Sequence, residues 1–420
     1  MTPSSDTARK NRLDRRDALF FLLLAAAAAF FFWRVRYGFA NIDESFYPTI
    51  ARRLTQGDRL FLDEWHVSQL SSVLLYLPVW LYERLNGGTD GIYLALRYLF
   101  VAVQSLVSAA VYLRLRRYHR AGAAAGALAL AMYAPFGINA LSYNSLGVLL
   151  LSLTGALLVP AGERSRAAYL LAGLCFAGTV LCCPYLALVY VLYTLAVVLL
   201  RKRPARLPAF SLHAFALFTL GAAILAAAFF LLGLRGADLS RLPAALQGIF
   251  SDPEHAGRTS FLRSLLRLAL RYPYHVLYRS HPLPGTCLLL MLALSLAALL
   301  DKRREQHAAA YFLAGTALTT AAEILYAVLW PHPNFMMYAA NVLALLCFVL
   351  TPPSDADAAR RLALLWWLPG MLYSALIILG SNQGHFAIFS AAASAALTEM
   401  PYETIVTSPP LQRTVVSSRE

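Results

Sequence analysis

Long apolar runs separated by clusters of arginine constrain this chain more than any other feature. Runs of about 15 to 25 apolar residues recur along its whole length, and a single soluble core could not absorb them. Only 14% of the 420 residues are charged, whereas soluble domains contain about 25% charged residues. The sequence therefore predicts an all-α polytopic membrane protein.

The apolar segments predict about eleven transmembrane helices. They cover residues 17–36, 91–113, 121–138, 145–160, 167–183, 185–200, 209–233, 284–300, 308–330, 335–351 and 362–380. The first is too long for the apolar part of a cleaved signal peptide and lacks a small-residue cleavage site. We interpret it as a signal anchor.

Arginine and lysine clusters lie on one side of this bundle if the predicted spans alternate in direction. The clusters are at 9–16, 114–120, 164–166, 201–206, 302–304 and 360–361. Because positive residues are retained in the cytoplasm, the amino terminus is predicted to be cytoplasmic. Orientation also explains the net charge of +14, so we infer no nucleic-acid partner.

The segment 69–85 is apolar enough to count as another span, but it would move later basic clusters to the opposite side. It is also interrupted by Pro78 and followed by Arg84. We interpret this segment as an interfacial helix on the external side.

A single transmembrane domain is predicted over residues 1–400, followed by a polar, disordered tail at 401–420. External loops at about 37–90 and 235–284 are longer than a simple connection requires. The five cysteines lie in apolar spans and lack metal-ligand spacing with histidine, so we interpret them as buried hydrophobic residues.

Two acidic pairs lie in the first external loop. Asp43 and Glu44 follow the first predicted helix, and Asp63 and Glu64 precede His66. A carboxylate pair at the membrane surface can deprotonate an acceptor hydroxyl or hold a divalent cation beside a lipid phosphate. Two acids in an aqueous loop are also often only solvated, so the need for a metal stays open.

The layout of residues 10–200 resembles the multispanning glycosyltransferases with a GT-C fold. These include protein O-mannosyltransferases, aminoarabinose transferases of lipid A and bacterial relatives. The resemblance is carried by the Asp43-Glu44 motif, the Ala51-Arg52-Arg53-Leu54 segment, the Pro78 helix and Leu94-Ala95-Leu96-Arg97, which opens the next span. The His-Pro-Pro motif typical of these enzymes is not present, since His66 is followed by Val67-Ser68-Gln69.

This resemblance implies transfer of one sugar from a polyprenyl-phosphate donor to an external glycan, lipid or protein. It places the chain in the bacterial cytoplasmic (inner) membrane. Asp43 would be the base on the acceptor hydroxyl, and Glu44 its neighbour in orientation or metal binding.

Other external polar residues complete the predicted substrate site. We expect contacts with substrate from Asp63, Glu64, His66, Tyr143, Asn144, His255, Arg258, Arg279, His332 and Asn334. Hydrogen-bonding groups suit sugar hydroxyls, and cations suit the donor phosphate. Helix capping, turns and contact with lipid headgroups explain the same residues without substrate.

A secondary transporter or lipid flippase is the alternative function. It would place polar groups near the middle of the membrane, as Glu323 does within the span 308–330. A non-catalytic assembly factor is a third hypothesis. A nucleotide-driven pump or a serine hydrolase lacks support, because neither a phosphate-binding glycine loop nor Gly-x-Ser-x-Gly is present.

Overall fold

A computed structural model describes most of the chain as helix. The described residues are 13–38, 43–64, 69–162, 165–200, 207–236, 238–241, 243–244, 282–329, 338–351, 356–381 and 390–407. Within these ranges there is no β-strand, only an isolated bridge between Leu60 and Glu64. The helical fold class is therefore confirmed for the described residues.

Helices are numbered along the chain. They are α1 (Arg15–Arg34), α2 (Asp43–Thr55), α3 (Gln69–Ser72), α4 (Tyr76–Asn86), α5 (Ile92–Leu115), α6 (Arg120–Met132), α7 (Tyr143–Leu158), α8 (Arg166–Cys182), α9 (Ala187–Leu200), α10 (Leu212–Ala228), α11 (Pro282–Leu300), α12 (Arg304–Leu329), α13 (Tyr338–Leu350), α14 (Ala356–Leu362), α15 (Leu368–Ser381) and α16 (Ala391–Thr407). In the described segments the structure also has 3₁₀ turns at Val73–Leu75, Pro135–Gly137, Pro184–Leu186, Pro208–Phe210 and Leu239–Arg241, and π-helical turns at Phe229–Gly233 and Ala363–Trp367.

The chain divides into two compact units. The first contains Met1–Cys182 and Leu217–Leu239, and the second contains Cys183–Ala216 and Ser240–Glu420. Helix α10 begins in the second unit and continues into the first.

Local sequence explains where two helices of the first unit begin. The Asp14 carboxylate accepts hydrogen bonds from the backbone N–H groups of Arg16 and Asp17. In return, the Asp17 carboxylate accepts a hydrogen bond from the backbone N–H of Asp14. Ser142 and Ser145 form the same reciprocal arrangement at the start of α7. These capping boxes satisfy backbone donors that the first helical turn leaves without partners.

Within the described ranges, four helical segments are long and apolar enough to cross a membrane. They are Arg15–Arg34, Ile92–Leu115, Leu212–Gly233 and Arg304–Leu325. Shorter apolar helices occupy the other predicted spans except 362–380, as Arg120–Met132 does at 121–138. Helix length thus supports a membrane protein, and the count of about eleven crossings stays a prediction.

The apolar segment 69–85 does not form one continuous helix. It consists of α3, a 3₁₀ turn and α4. Pro78 lies in the first turn of α4, where its missing N–H removes no helical hydrogen bond. Helix α4 exposes Trp80 and Leu81 and buries Val79, a pattern typical of a helix at an apolar boundary.

A buried cluster joins α2 to the elements around it in the first unit. Tyr47 and Ala51 of α2 are 2% and 0% exposed. They pack with Val35, Leu75, Val79, Ile92, Leu96, Phe100, Val101, Ile138, Ala140 and Leu141. This shared core holds α2 against α4 and α5.

The helix α16 extends further than the sequence indicated. The prediction ended order at residue 400, yet α16 continues to Thr407. Met400 is 2% exposed, and α16 packs along α13, so tertiary burial stabilises this helical end. Residues 408–420 lie outside the described part.

Candidate functional site

The predicted catalytic pair lies at the start of α2. Asp43 is the first residue of this helix, and Glu44 is the second. The structure describes the backbone of Asp43, whereas its side chain lies outside the described part. The Glu44 side chain is 1% exposed.

Glu44 forms a buried ion pair with Arg97 near the start of α5. Arg97 Nε donates to Glu44 Oε1 at 2.9 Å, and Arg97 Nη2 donates to Glu44 Oε2 at 2.6 Å. The remaining terminal nitrogen, Nη1, donates to the carbonyl oxygens of Val35 at 3.0 Å and Gly38 at 2.9 Å. One guanidinium thus ties together the end of α1, the start of α2 and α5.

This geometry assigns Glu44 a positioning role. Both carboxylate oxygens bind Arg97, and a bidentate pair of this kind fixes orientation as well as charge. Arg97 did not appear among the predicted site residues. The signal that could have found it is a charged residue inside the predicted span 91–113, where an uncompensated charge is costly.

The second acidic pair is also bound by arginines. Arg53 contacts Glu64 at 2.8 Å and Asp58 at 2.6 Å, and it donates to the Asp63 carbonyl oxygen at 2.6 Å. The hydrogen bond from Arg59 lowers the pKa of Asp63. Asp63 and Glu64 therefore hold the turn after α2, and a contact of either with substrate stays a prediction.

Further polar contacts fix α2 on α4. Arg52 Nε lies 3.1 Å from Glu83 Oε1, and the Thr55 hydroxyl donates to Glu83 Oε2 at 2.9 Å. Helix α2 is therefore held by arginine–carboxylate pairs at both of its ends.

The turn after α2 contacts the start of the second predicted external loop. A Cβ atom added at Gly236 would lie 3.5 Å from Arg59 Cδ, and the charge of Asp238 acts on Arg59. In the same turn Phe61 has a φ of 61°, a left-handed conformation that costs about 1 to 2 kcal/mol. The structure thus brings parts of both predicted loops together.

Tyr143 and Asn144 begin α7, and α7 lies close to α2. The rings of Tyr47 and Tyr143 meet edge to face with centroids 5.5 Å apart. Asn144 is 1% exposed, and its Oδ1 atom has no hydrogen-bond partner among the described residues. Tyr143 therefore lies beside the helix that Asp43 begins, and its role toward substrate stays a prediction.

Arg36 is a second cation that the predicted site did not include. It follows Val35, whose carbonyl oxygen binds Arg97, and its guanidinium lies 5.9 Å from the centroid of the Tyr98 ring. The side chain is exposed, and no described carboxylate forms an ion pair with it. Its position after an apolar helix is the sequence signal that could have identified it.

The remaining predicted substrate residues lie outside the described part of the chain. These are His66, His255, Arg258, Arg279, His332 and Asn334. Within the ranges that are described, no group of three or more His, Cys, Asp or Glu side chains could hold a metal ion.

Comparison with protein-family models, with curated proteins and with solved structures gives no match for this chain. The functional interpretation therefore rests on the junction of α1, α2 and α5.

Proposed function

We propose that the chain is a GT-C-like membrane glycosyltransferase of the bacterial cytoplasmic membrane. It transfers a sugar from a polyprenyl-phosphate-linked donor to an acceptor at the external face. The proposal includes about eleven transmembrane helices and a cytoplasmic amino terminus. The observation that carries it is the buried Glu44–Arg97 pair, which holds the residue beside Asp43 against the end of α1.

Asp43 acts as the general base in this proposal. Its carboxylate takes the proton of the acceptor hydroxyl as the acceptor oxygen bonds to the anomeric carbon of the sugar. The bond between that carbon and the phosphate oxygen breaks, and the polyprenyl phosphate leaves with the bonding electron pair. Glu44 is held by Arg97 and orients the helix that carries the base.

Arg36 binds the phosphate of the lipid-linked donor. Arg36 is next to Val35 in sequence, and Asp43 is next to Glu44. Val35 and Glu44 both accept hydrogen bonds from the Arg97 guanidinium, so Arg36 and Asp43 each adjoin a residue that Arg97 holds. An exposed guanidinium at the end of a membrane-length helix suits a lipid phosphate, because it donates paired hydrogen bonds to phosphate oxygens. The apolar face of α4 offers the isoprenoid chain a surface in the same unit.

Sugar transfer in vitro tests this function. Purified parent protein is incubated with short-chain polyprenyl-phosphate sugars and candidate acceptors, and Asp43→Asn is compared with Asp90→Asn. Asp90 is an exposed acid at the end of the same loop. We expect a rate loss of about 100-fold or more for Asp43→Asn and parental activity for Asp90→Asn. Activity in the presence of a chelator decides whether a divalent cation takes part.

Equal activity of the parent and Asp43→Asn would overturn the carboxylate mechanism. Loss of activity in both aspartate variants would show that general loop charge matters instead of a base. The size-exclusion elution volume and thermal midpoint of each variant are compared with those of the parent. A folding defect is thereby distinguished from the loss of a catalytic group.

A secondary transporter is the second candidate, supported by buried polar groups in the second unit. Asn341 Oδ1 accepts hydrogen bonds from Ser390 at 2.7 Å and Ser394 at 2.6 Å, and Glu323 lies half-buried in a membrane-length helix. Polar groups inside such helices frequently mark transport paths. Transport by reconstituted vesicles that Glu323→Gln abolishes, together with absence of sugar transfer, would favour this candidate.

A further inference from the structure

Two arginines around the turn between α5 and α6 are neutralised by acids from the start of α1. Arg116 binds Asp17, a fully buried carboxylate, and Arg120 binds Asp14. Tyr112 also donates a hydrogen bond to Asp17 at 2.5 Å.

Arg114 and Arg117, from the same cluster, have no acidic partner in the part of the chain that the structure describes. The Nε atom of Arg114 is buried and has no hydrogen-bond partner among the described residues. Arg117, a like charge, and the phenol of Tyr118 act on Arg114. Arg117 is exposed, and no described carboxylate pairs with it. Two positive charges therefore lie together without a compensating acid among the described residues.

This arrangement is unfavourable unless an anion joins it. A buried N–H donor without a partner costs about 1 to 3 kcal/mol, and more when the group is charged. The like charge of Arg117 increases the cost. A phosphate group beside the two guanidinium groups would balance both charges through charge-assisted hydrogen bonds.

The surface beside these arginines is apolar and follows the helix axis. Leu106 is 70% exposed and Leu113 is 39% exposed, and their spacing of seven residues places them on one face of α5. Arg114 lies in the last turn of α5, one residue past Leu113, and Arg117 lies in the turn that follows the helix. A phospholipid matches this arrangement, because its apolar acyl chains would lie along the leucines and its phosphate beside the arginines.

We propose that Arg114 and Arg117 bind the phosphate of an anionic phospholipid headgroup at the carboxyl end of α5. Its acyl chains lie along Leu106 and Leu113. The site is independent of sugar transfer, because it requires only that α5 lie in a bilayer, for which its length and composition are sufficient. Basic residues beside a membrane helix gain about 1 kcal/mol each from anionic lipid.

Retention of lipid tests the site. The parent and the Arg114→Gln/Arg117→Gln double variant are purified from vesicles of phosphatidylcholine with phosphatidylglycerol, and bound lipid is counted by native mass spectrometry. We expect the double variant to bind phosphatidylglycerol about tenfold more weakly than the parent. Arg360→Gln is the control; it removes one positive charge from a different basic cluster, and Arg360 already pairs with Asp357. It should retain lipid as the parent does.

A second measurement uses the unaltered protein, so the outcome does not depend on the folding of a variant. Photoactivatable phosphatidylglycerol should crosslink to the peptide that contains Leu113 and Arg117. Equal lipid retention by parent and double variant, or crosslinks confined to other peptides, would overturn the proposal. Displacement of the lipid by millimolar inorganic phosphate would assign the site to a soluble anion and would likewise overturn it.

Discussion

Glu44 and Arg97 form one buried ion pair. Removing either charged side chain alone should therefore lower the free energy of unfolding more than removing both. The side chains are 1% and 10% exposed, and replacing Glu44 with Gln leaves a buried, unbalanced guanidinium. We expect Glu44→Gln to lower the free energy of unfolding by about 3 to 5 kcal/mol. The double variant Glu44→Leu/Arg97→Met should lose less. Denaturant unfolding in a fixed detergent measures both.

The exposed pair of Arg52 and Glu83 provides the matched control. Arg52 is 47% exposed, so Arg52→Gln should cost about 1 kcal/mol or less. If Arg52→Gln destabilised the protein as much as Glu44→Gln, the special role of the buried pair would be contradicted.

Arg36 should affect donor binding more than turnover. Loss of a charge-assisted hydrogen bond to phosphate costs about 1.5 to 3 kcal/mol, so Arg36→Gln should raise the KM for the lipid-linked donor about tenfold or more. Arg84→Gln is the control, because Arg84 is also exposed and lies 5.7 Å from the centroid of an aromatic ring, that of Trp80. Steady-state kinetics with varied donor concentration separates an effect on KM from an effect on kcat. An unchanged KM in Arg36→Gln would exclude the phosphate contact.

The sequence located both acids of this junction, and the family resemblance gave Asp43 and Glu44 separate expected roles. The arginine that binds Glu44 was not predicted. Arg97 lies more than fifty residues further along the chain, and only the tertiary structure shows the contact. A contact between distant residues is a property of packing and is not visible in local sequence.

At the scale of elements, the crossing of α8 and α10 depends on two glycines. A Cβ at Gly173 would lie 1.9 Å from the Phe218 carbonyl oxygen, and one at Gly221 would lie 2.0 Å from the Leu170 carbonyl oxygen. The two backbones are therefore in direct contact, as in other membrane helix pairs with small residues at the crossing.

Gly173→Ala should force α8 and α10 apart. Because the obstructing atom is backbone, we expect destabilisation of about 1 to 3 kcal/mol or more, measured as a lower thermal midpoint in detergent. Gly178→Ala should cost less, since its nearest neighbour at 2.8 Å is a side-chain carbon of Leu150, which can rotate. Gly88→Ala, with nothing within 4 Å, is the control. Equal midpoints for all three variants would contradict the close crossing.

Hydrophobic periodicity predicted the positions of these helices, but several helices end at other residues than predicted. The predicted span 121–138 contains α6, which stops at Met132. Pro135 disfavours a helical conformation at the residue before it, and a 3₁₀ turn follows instead. Local chemistry explains this end, whereas the sequence did not indicate that α16, which packs along α13, would continue to Thr407.

At the scale of the whole molecule, orientation is the first property to test. The charge pattern places α2 outside and the turn before α12 in the cytoplasm. Cysteines introduced at the exposed residues Thr49 and Lys302 should therefore react with an impermeant maleimide from opposite sides. In intact cells, we expect labelling of Thr49→Cys only. Labelling of Lys302→Cys alone would invert the proposed topology.

Acid should weaken the external loop through Asp63. The hydrogen bond from Arg59 lowers the pKa of Asp63 in the folded state, so the ionised form stabilises the fold. This contribution is complete above the unfolded value of about 3.9 and is lost as the pH falls through the lower folded value. Asp63→Asn should therefore flatten the fall of the thermal midpoint below about pH 4. Asp90→Asn should show the same fall of the thermal midpoint with pH as the parent. If Asp63→Asn also showed the parental fall, the role of the Asp63 carboxylate would be contradicted.

The amino-acid sequence by itself determined that this protein is helical, where most of its helices lie and which loops carry acids and arginines. Those properties follow from local periodicity, capping and the avoidance of charge in apolar segments. Tertiary structure alone decided which arginine meets which acid. It paired Arg97 with Glu44, and Arg116 with Asp17, and it left Arg114 without a described acid. Such pairings depend on which helix ends lie side by side, since ion pairs are formed by proximity in space rather than in sequence.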